Sequence, residues 1–134
     1  MQQVMVQVFP NHLFSRFFSF LYRWKISIFL LFVLSILCLY PLSFPALPNF
    51  SYFDKFMHLS FYAVIGIGAI IDYFLTWNTK IPISKFNKLA LCLVIFGVTI
   101  EIIQAFSGYR QGEFADIVAN SLGIFLVWLF VKFF

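Results

Sequence analysis

Apolar positions run almost without interruption along most of this chain. No charged residue occurs between Ile26 and Phe53. A helix that crosses a bilayer needs about 20 mostly apolar residues at roughly 1.5 Å rise each. On that ruler the pattern predicts four spans, over residues 26–40, 56–74, 89–106 and 114–133. The first stops near Pro41, Pro45 and Pro48, which disfavour continued helix. Asp72 stands near the end of the second span, Glu101 inside the third, and Asp116 and Asn120 inside the fourth. No internal sequence period accompanies the four spans.

The first 22 residues have a different texture. They are rich in Phe but broken by Pro10, Asn11, His12 and Arg16. Residues 13–24 could lie along the membrane surface as an amphipathic helix, with Arg16 and Arg23 toward the headgroups. A poorly ordered tail is the alternative. A cleaved signal peptide is not expected, because no small-residue cleavage site follows the apolar run. The chain therefore divides into an N-terminal cytoplasmic or interfacial segment, 1–24, and a four-helix transmembrane domain, 25–134. The expected fold is all-α, an integral membrane bundle.

Composition narrows the class. Hydrophobic residues make up 63% of the 134 positions and charged residues only 10%, with a mean hydropathy of +0.97. Soluble domains carry about 25% charged residues. A water-soluble bundle of this size could not hide so much apolar surface. Disordered, coiled-coil and nucleic-acid-binding classes are excluded with it. The net charge of +4 comes from only nine dispersed Lys and Arg, so the partner is the lipid bilayer and not nucleic acid. Cys38 and Cys92 sit inside apolar runs and form neither a metal spacing nor a disulfide framework.

Basic residues set the expected orientation, because Lys and Arg are retained on the cytoplasmic side. Four spans place both chain ends on one side. That side would carry Arg16, Arg23, Lys25, Lys80, Lys85, Lys88 and Lys132, and the other only Lys55 and Arg110. Both termini are therefore expected in the cytoplasm of a multi-pass cell-membrane protein, with residues 41–53 and 107–113 facing outward.

The polar residues inside the spans are not scattered. A charged side chain at a helix centre costs roughly 2.5–3.5 kcal/mol on insertion scales. Asp54, His58 and Tyr62 are spaced i, i+4, i+8 on one face. Glu101 and Gln104 share a face of the third span, with Gly97 one turn earlier to allow close helix approach. Asp116, Asn120 and Gly123 form a stripe opening the fourth. Given the alternating span directions, all three faces bring their polar groups to the outer level. A shared outward-facing polar pocket is expected, built from Asp54, His58, Glu101, Gln104, Arg110, Asp116 and Asn120, with Lys55 beside it.

Simpler roles exist for most of these residues. Asp54 and Lys55 could be a helix cap and an interfacial anchor. Asp116 suits the positive end of a helix dipole. His58 could be a structural hydrogen-bonding group, and Arg110 a loop charge. Glu101 lies within a span and has fewest such explanations, although it could pair structurally with Arg110 or His58. Asp72 lies near the cytoplasmic boundary, within reach of water. If the cluster does chemistry, Arg110, Lys55 and His58 could hold a phosphate, while Glu101, His58 and Asp116 could act as acid and base. A metal held by His58, Glu101 and Asp116 is chemically possible, but no ligand motif supports it, so no metal is assigned. No Gly-rich nucleotide loop, G-x-S-x-G or H-E-x-x-H occurs, and the sequence leaves the cofactor open.

In order, Asp54-Lys55-x-x-His58, Glu101-x-x-Gln104, Arg110 and Asp116-x-x-x-Asn120-x-x-Gly123 resemble the VanZ-like family of small membrane proteins. The resemblance covers residues 54–126. It departs at Gly108-Tyr109-Arg110-Gln111-Gly112-Glu113, where relatives often have a Pro-Gly-Arg turn, and in lacking a second glycine after Gly123. It implies an integral membrane protein with these polar positions, in a family named for a link to teicoplanin resistance.

Three functional classes stand at this point. One is a membrane enzyme or binding site for an anionic, phosphate-bearing cell-envelope lipid or precursor. The second is a non-enzymatic adaptor with a structural polar network. The third, a channel or transporter subunit, fits least, since the polar residues gather at one end and do not line a path. On the first reading Glu101 is the expected functional centre and Arg110 the expected anion contact. The sequence carries no signal of oligomeric state.

Overall fold

A computed structural model describes residues 12–39, 53–107 and 113–134, which form five helices and no strand. They are α1 (His12–Arg23), α2 (Lys25–Leu39), α3 (Phe53–Trp77), α4 (Ile83–Ser107) and α5 (Phe114–Phe133). α3, α4 and α5 are each long and apolar enough to cross a membrane. A fourth crossing exists if the bent pair α1–α2 counts as one span. The all-α multi-pass architecture expected from the apolar pattern is therefore present.

The first span differs from its expectation. α2 has 15 residues, about 22 Å at the helical rise, short of a hydrocarbon core of roughly 30 Å. It meets α1 at 81°. The cause is a side chain from another helix. Trp24 N–H still bonds the Phe20 carbonyl and Ile28 N–H the Trp24 carbonyl, at 3.1 and 2.9 Å. Between them, Ile26 N–H and Ser27 N–H turn to the Asp72 carboxylate, at 3.2 and 2.8 Å. Ser27 Oγ also donates to Asp72, at 2.8 Å. One turn along α3, Thr76 Oγ1 lies 3.3 Å from the Arg23 carbonyl. A side chain inserted into the i→i−4 ladder is a recognised cause of a sharp kink. Asp72 is only 1% exposed, so its expected reach to water is corrected: it is the buried N-terminal cap of α2.

α1 carries Phe14, Phe17, Phe18 and Leu21 on one face. Phe14 and Phe17 are exposed, as an interfacial helix requires. α3 ends at Asn78, whose positive φ of 52° and N–H bond to the Phe74 carbonyl make a left-handed cap.

α3 packs most extensively on α5, then α5 on α4 and α2 on α3. Ser27 at the start of α2 meets Asp72 late in α3, while Cys38 near its end meets Gln104 late in α4. α2 to α5 thus alternate in direction. One core joins Leu34, Tyr62, Ile65, Leu93, Ile100 and Ile124; another joins Tyr73, Ile81, Phe86 and Val127. A Cβ on Gly123 would collide with the Leu59 carbonyl oxygen, so only glycine permits this approach of α5 to α3. Outward, the bundle presents Phe29, Phe32, Phe56, Ile67, Leu91, Ile95, Leu122 and Phe125. Inward it buries His58, Asp72, Glu101, Gln104, Asp116 and Asn120. Apolar outside and ionisable inside is the arrangement a lipid solvent selects.

Candidate functional site

The start of α3, the end of α4 and the start of α5 converge at one end of the bundle. Helical spacing brings each polar stripe there, and the glycines let the helices close. His58, on α3, is the geometric centre. Its Nδ1 lies 3.1 Å from Asn120 Oδ1 on α5 and 3.8 Å from Glu101 Oε1 on α4. Its Nε2 lies 4.0 Å from both Asp54 Oδ1 and Asp116 Oδ2. Lys55 Nζ stands 3.7 Å from Asp116 Oδ1. Glu101 Oε2 accepts from Glu113 N–H at 3.3 Å, steadying the chain as it enters α5.

The structure thus brings together Asp54, Lys55, His58, Glu101, Asp116 and Asn120 from three helices. Gln104 turns elsewhere: its amide donates to the Cys38 carbonyl of α2 at 2.9 Å and ties α4 to α2. Arg110 lies outside the described residues, as do the segments 40–52 and 108–112.

Two residues join that the sequence reading left out of the site. Glu113, at the N-cap of α5, makes no side-chain cap and instead binds Lys55 Nζ at 2.7 Å. Its place just before the apolar run of α5 was the available signal. Tyr62 continues the Asp54–His58 face and is 1% exposed. Its hydroxyl and Asn120 Nδ2 both flank Gly97, at 3.0 and 3.3 Å from where a Cβ would be. Neither atom has a hydrogen-bond partner among the described residues, and Asp116 Oδ1 has none either.

The electrostatics follow from the inventory. Asp54, Glu101, Glu113 and Asp116 supply four carboxylates, and among the described residues Lys55 supplies one ammonium beside the His58 imidazole. His58 and Asp116 have side chains only 4% and 3% exposed. Water therefore screens little between them, and charges there act at low local dielectric. Such a constellation can move protons, bind a cation, or hold helices together.

These features define a helical membrane bundle with a buried ionisable cluster at one end. No family model matches the chain, and no curated protein or solved structure does either.

Proposed function

We propose that the cluster binds or modifies an anionic, phosphate-bearing lipid or precursor of the cell envelope, as a VanZ-like membrane protein. On this reading both termini are cytoplasmic and the cluster faces outward. Glu101, His58 and Asp116 handle protons, and Asp54, Lys55, Arg110 and Asn120 position the ligand. One observation carries the proposal: three helices deliver Asp54, Lys55, His58, Glu101, Asp116 and Asn120 to a single place. His58, Glu101, Asp116 and Asn120 are buried there, and ionisable groups kept inside a membrane bundle despite their cost commonly mark a functional site. The family link extends the proposal to a role in teicoplanin resistance.

Glu101→Gln tests it, because the amide keeps size and hydrogen bonding but removes the proton-transferring carboxyl. Expression of the chain is expected to raise teicoplanin tolerance in a susceptible host, and Glu101→Gln to abolish the gain at equal membrane abundance on a quantified blot. Full activity of the variant at normal abundance would remove the proton-transfer role. Native mass spectrometry supplies the ligand arm: retention of phosphatidylglycerol over phosphatidylcholine is expected, weakened by Lys55→Gln.

The adaptor reading has its own support. The Glu101–Glu113 and Gln104–Cys38 hydrogen bonds tie chain segments together. If it holds, Glu101→Gln retains function, while losses at the cluster follow loss of folded protein.

A further inference from the structure

We propose that Asp54, His58 and Asp116 form a divalent metal site, with one imidazole nitrogen and two carboxylates as ligands and zinc or manganese as the class of ion. The site shares residues with the lipid reading but does not depend on it: with a metal bound, His58 and Asp116 are ligands and proton handling falls to Glu101. One donor atom from each residue lies within 4.8 Å of the other two.

The donor geometry is oriented, not merely crowded. Asn120 Oδ1 can only accept a hydrogen bond, so His58 Nδ1 at 3.1 Å carries the ring proton. Glu101 Oε1, 3.8 Å from the same nitrogen, is also an acceptor. With Nδ1–H held toward Asn120, Nε2 is the ring nitrogen that faces Asp54 and Asp116. Metal-bound histidines are held by this same device: the far ring N–H bonds an oxygen and fixes the tautomer.

The three donors do not satisfy one another. Nε2 stands 4.0 Å from each carboxylate, beyond hydrogen-bond length. The gap between the three donors is wider than a hydrogen bond and suits a small cation held by all three. Asp116 is 2% exposed, and the oxygen it turns to Nε2 is Oδ2, while Oδ1 lies toward Lys55. A zinc ion with bonds near 2.1 Å sets neighbouring donors roughly 3.4 Å apart in a tetrahedron, so each donor moves only a few tenths of an ångström. Lys55, 3.7 Å from Asp116 Oδ1, is partly exposed and already bound to Glu113, so it does not fill this role. Three protein ligands leave a position for water or for an oxygen of a bound anion. A cation here also offers an acid-rich site the charge needed to meet a phosphate.

The test uses the full chain in detergent micelles after chelator treatment. Isothermal titration with zinc is expected to show one ion per chain. His58→Gln and Asp116→Asn are expected to weaken binding well over tenfold, and Asn120→Ala by about 10- to 100-fold through the lost orientation of the ring. Lys88→Gln, an exposed position near the start of α4 and away from the cluster, is expected to leave affinity unchanged. A wild-type measurement guards against misfolded variants: in 15N-histidine-labelled protein carrying His12→Gln, zinc is expected to shift the Nε2 resonance of His58 from a neutral Nδ1–H ring. Three results overturn the proposal: no binding, equal binding in His58→Gln, or a His58 ring that stays doubly protonated at neutral pH and ignores zinc. Loss of lipid binding with intact zinc binding would count against the lipid reading alone.

Discussion

At one end of the bundle, Asp72 is met by three hydrogen-bond donors, all at 2.8 to 3.2 Å. At the other end, Asp116 and His58 face each other at 4.0 Å, with a buried carboxylate oxygen lacking a hydrogen bond among the described residues. The surroundings differ in the same sense. Near Asp72, Tyr73 stacks on Trp77 at 4.4 Å, Lys85 lies over both rings, and Trp128 bonds Asn87 at 2.7 Å. Lys132 covers Trp128 and Arg23 covers Trp77. Trp and basic residues arranged this way anchor a helix end at a lipid interface. Burial alone therefore does not mark a functional acid. An acid whose lone pairs are spent on backbone N–H groups is structural, and one facing other acids, a histidine and a lysine shared with Glu113 has capacity for a ligand or a proton.

The largest effect that would break this contrast is at Asp72. Asp72→Ala strands two backbone N–H groups and the Ser27 hydroxyl in an apolar setting, and each unsatisfied group costs about 1–3 kcal/mol. A loss of about 3–5 kcal/mol is expected, read as a fall in membrane abundance and a lower unfolding temperature in detergent. Asp72→Asn is expected to lose less, because an amide oxygen still accepts. Wild-type stability in Asp72→Ala would remove the structural assignment of this end.

Asp116→Asn supplies the opposing measurement. Its carboxylate ties down no backbone donor, so stability is expected to move by no more than about 1 kcal/mol, while zinc binding and activity fall. A stability loss matching that of Asp72→Ala would make both ends structural and favour the adaptor.

The convergence of the polar stripes at one end was largely legible in the sequence, and the reason is the solvent. Against an apolar background every polar residue is conspicuous, and the helical period assigns it a face. Asp54, His58 and Tyr62, like Asp116, Asn120 and Gly123, could be placed from spacing alone. Asp72 could not. Its partners Ile26 and Ser27 lie 46 and 45 positions away, and no Pro or Gly at 22–28 announces the bend they share. Gln104 was placed on the right face but finds Cys38 of a different neighbour. Spacing tells which residues look inward, while the helix they meet is decided by packing. Similarly, a count of apolar residues could not separate a straight first span from a 15-residue helix bent at 81° to its predecessor.

The smallest expected effect sharpens the contrast within the polar end itself. Glu113 is 51% exposed at its side chain and holds Lys55 at 2.7 Å. An ion pair reaching water is screened and entropically costly to hold, so it adds little to stability. Glu113→Gln is accordingly expected to leave the unfolding temperature unchanged. Its effect on ligand binding should have a definite sign. With Glu113 neutral, the Lys55 ammonium is released from its nearest carboxylate and turns to whatever anion arrives. Retention of phosphatidylglycerol in native mass spectrometry is then expected to rise, by about twofold to fivefold at low salt and less at high salt, since a solvent-reached charge is screened within a Debye length. A decrease would mean that Glu113 holds Lys55 in its binding position, and the pair would belong to the structural machinery alongside Asp72. No change at either salt concentration would show that Lys55 takes no part in meeting the anion, and would move that role onto Arg110 or a metal ion.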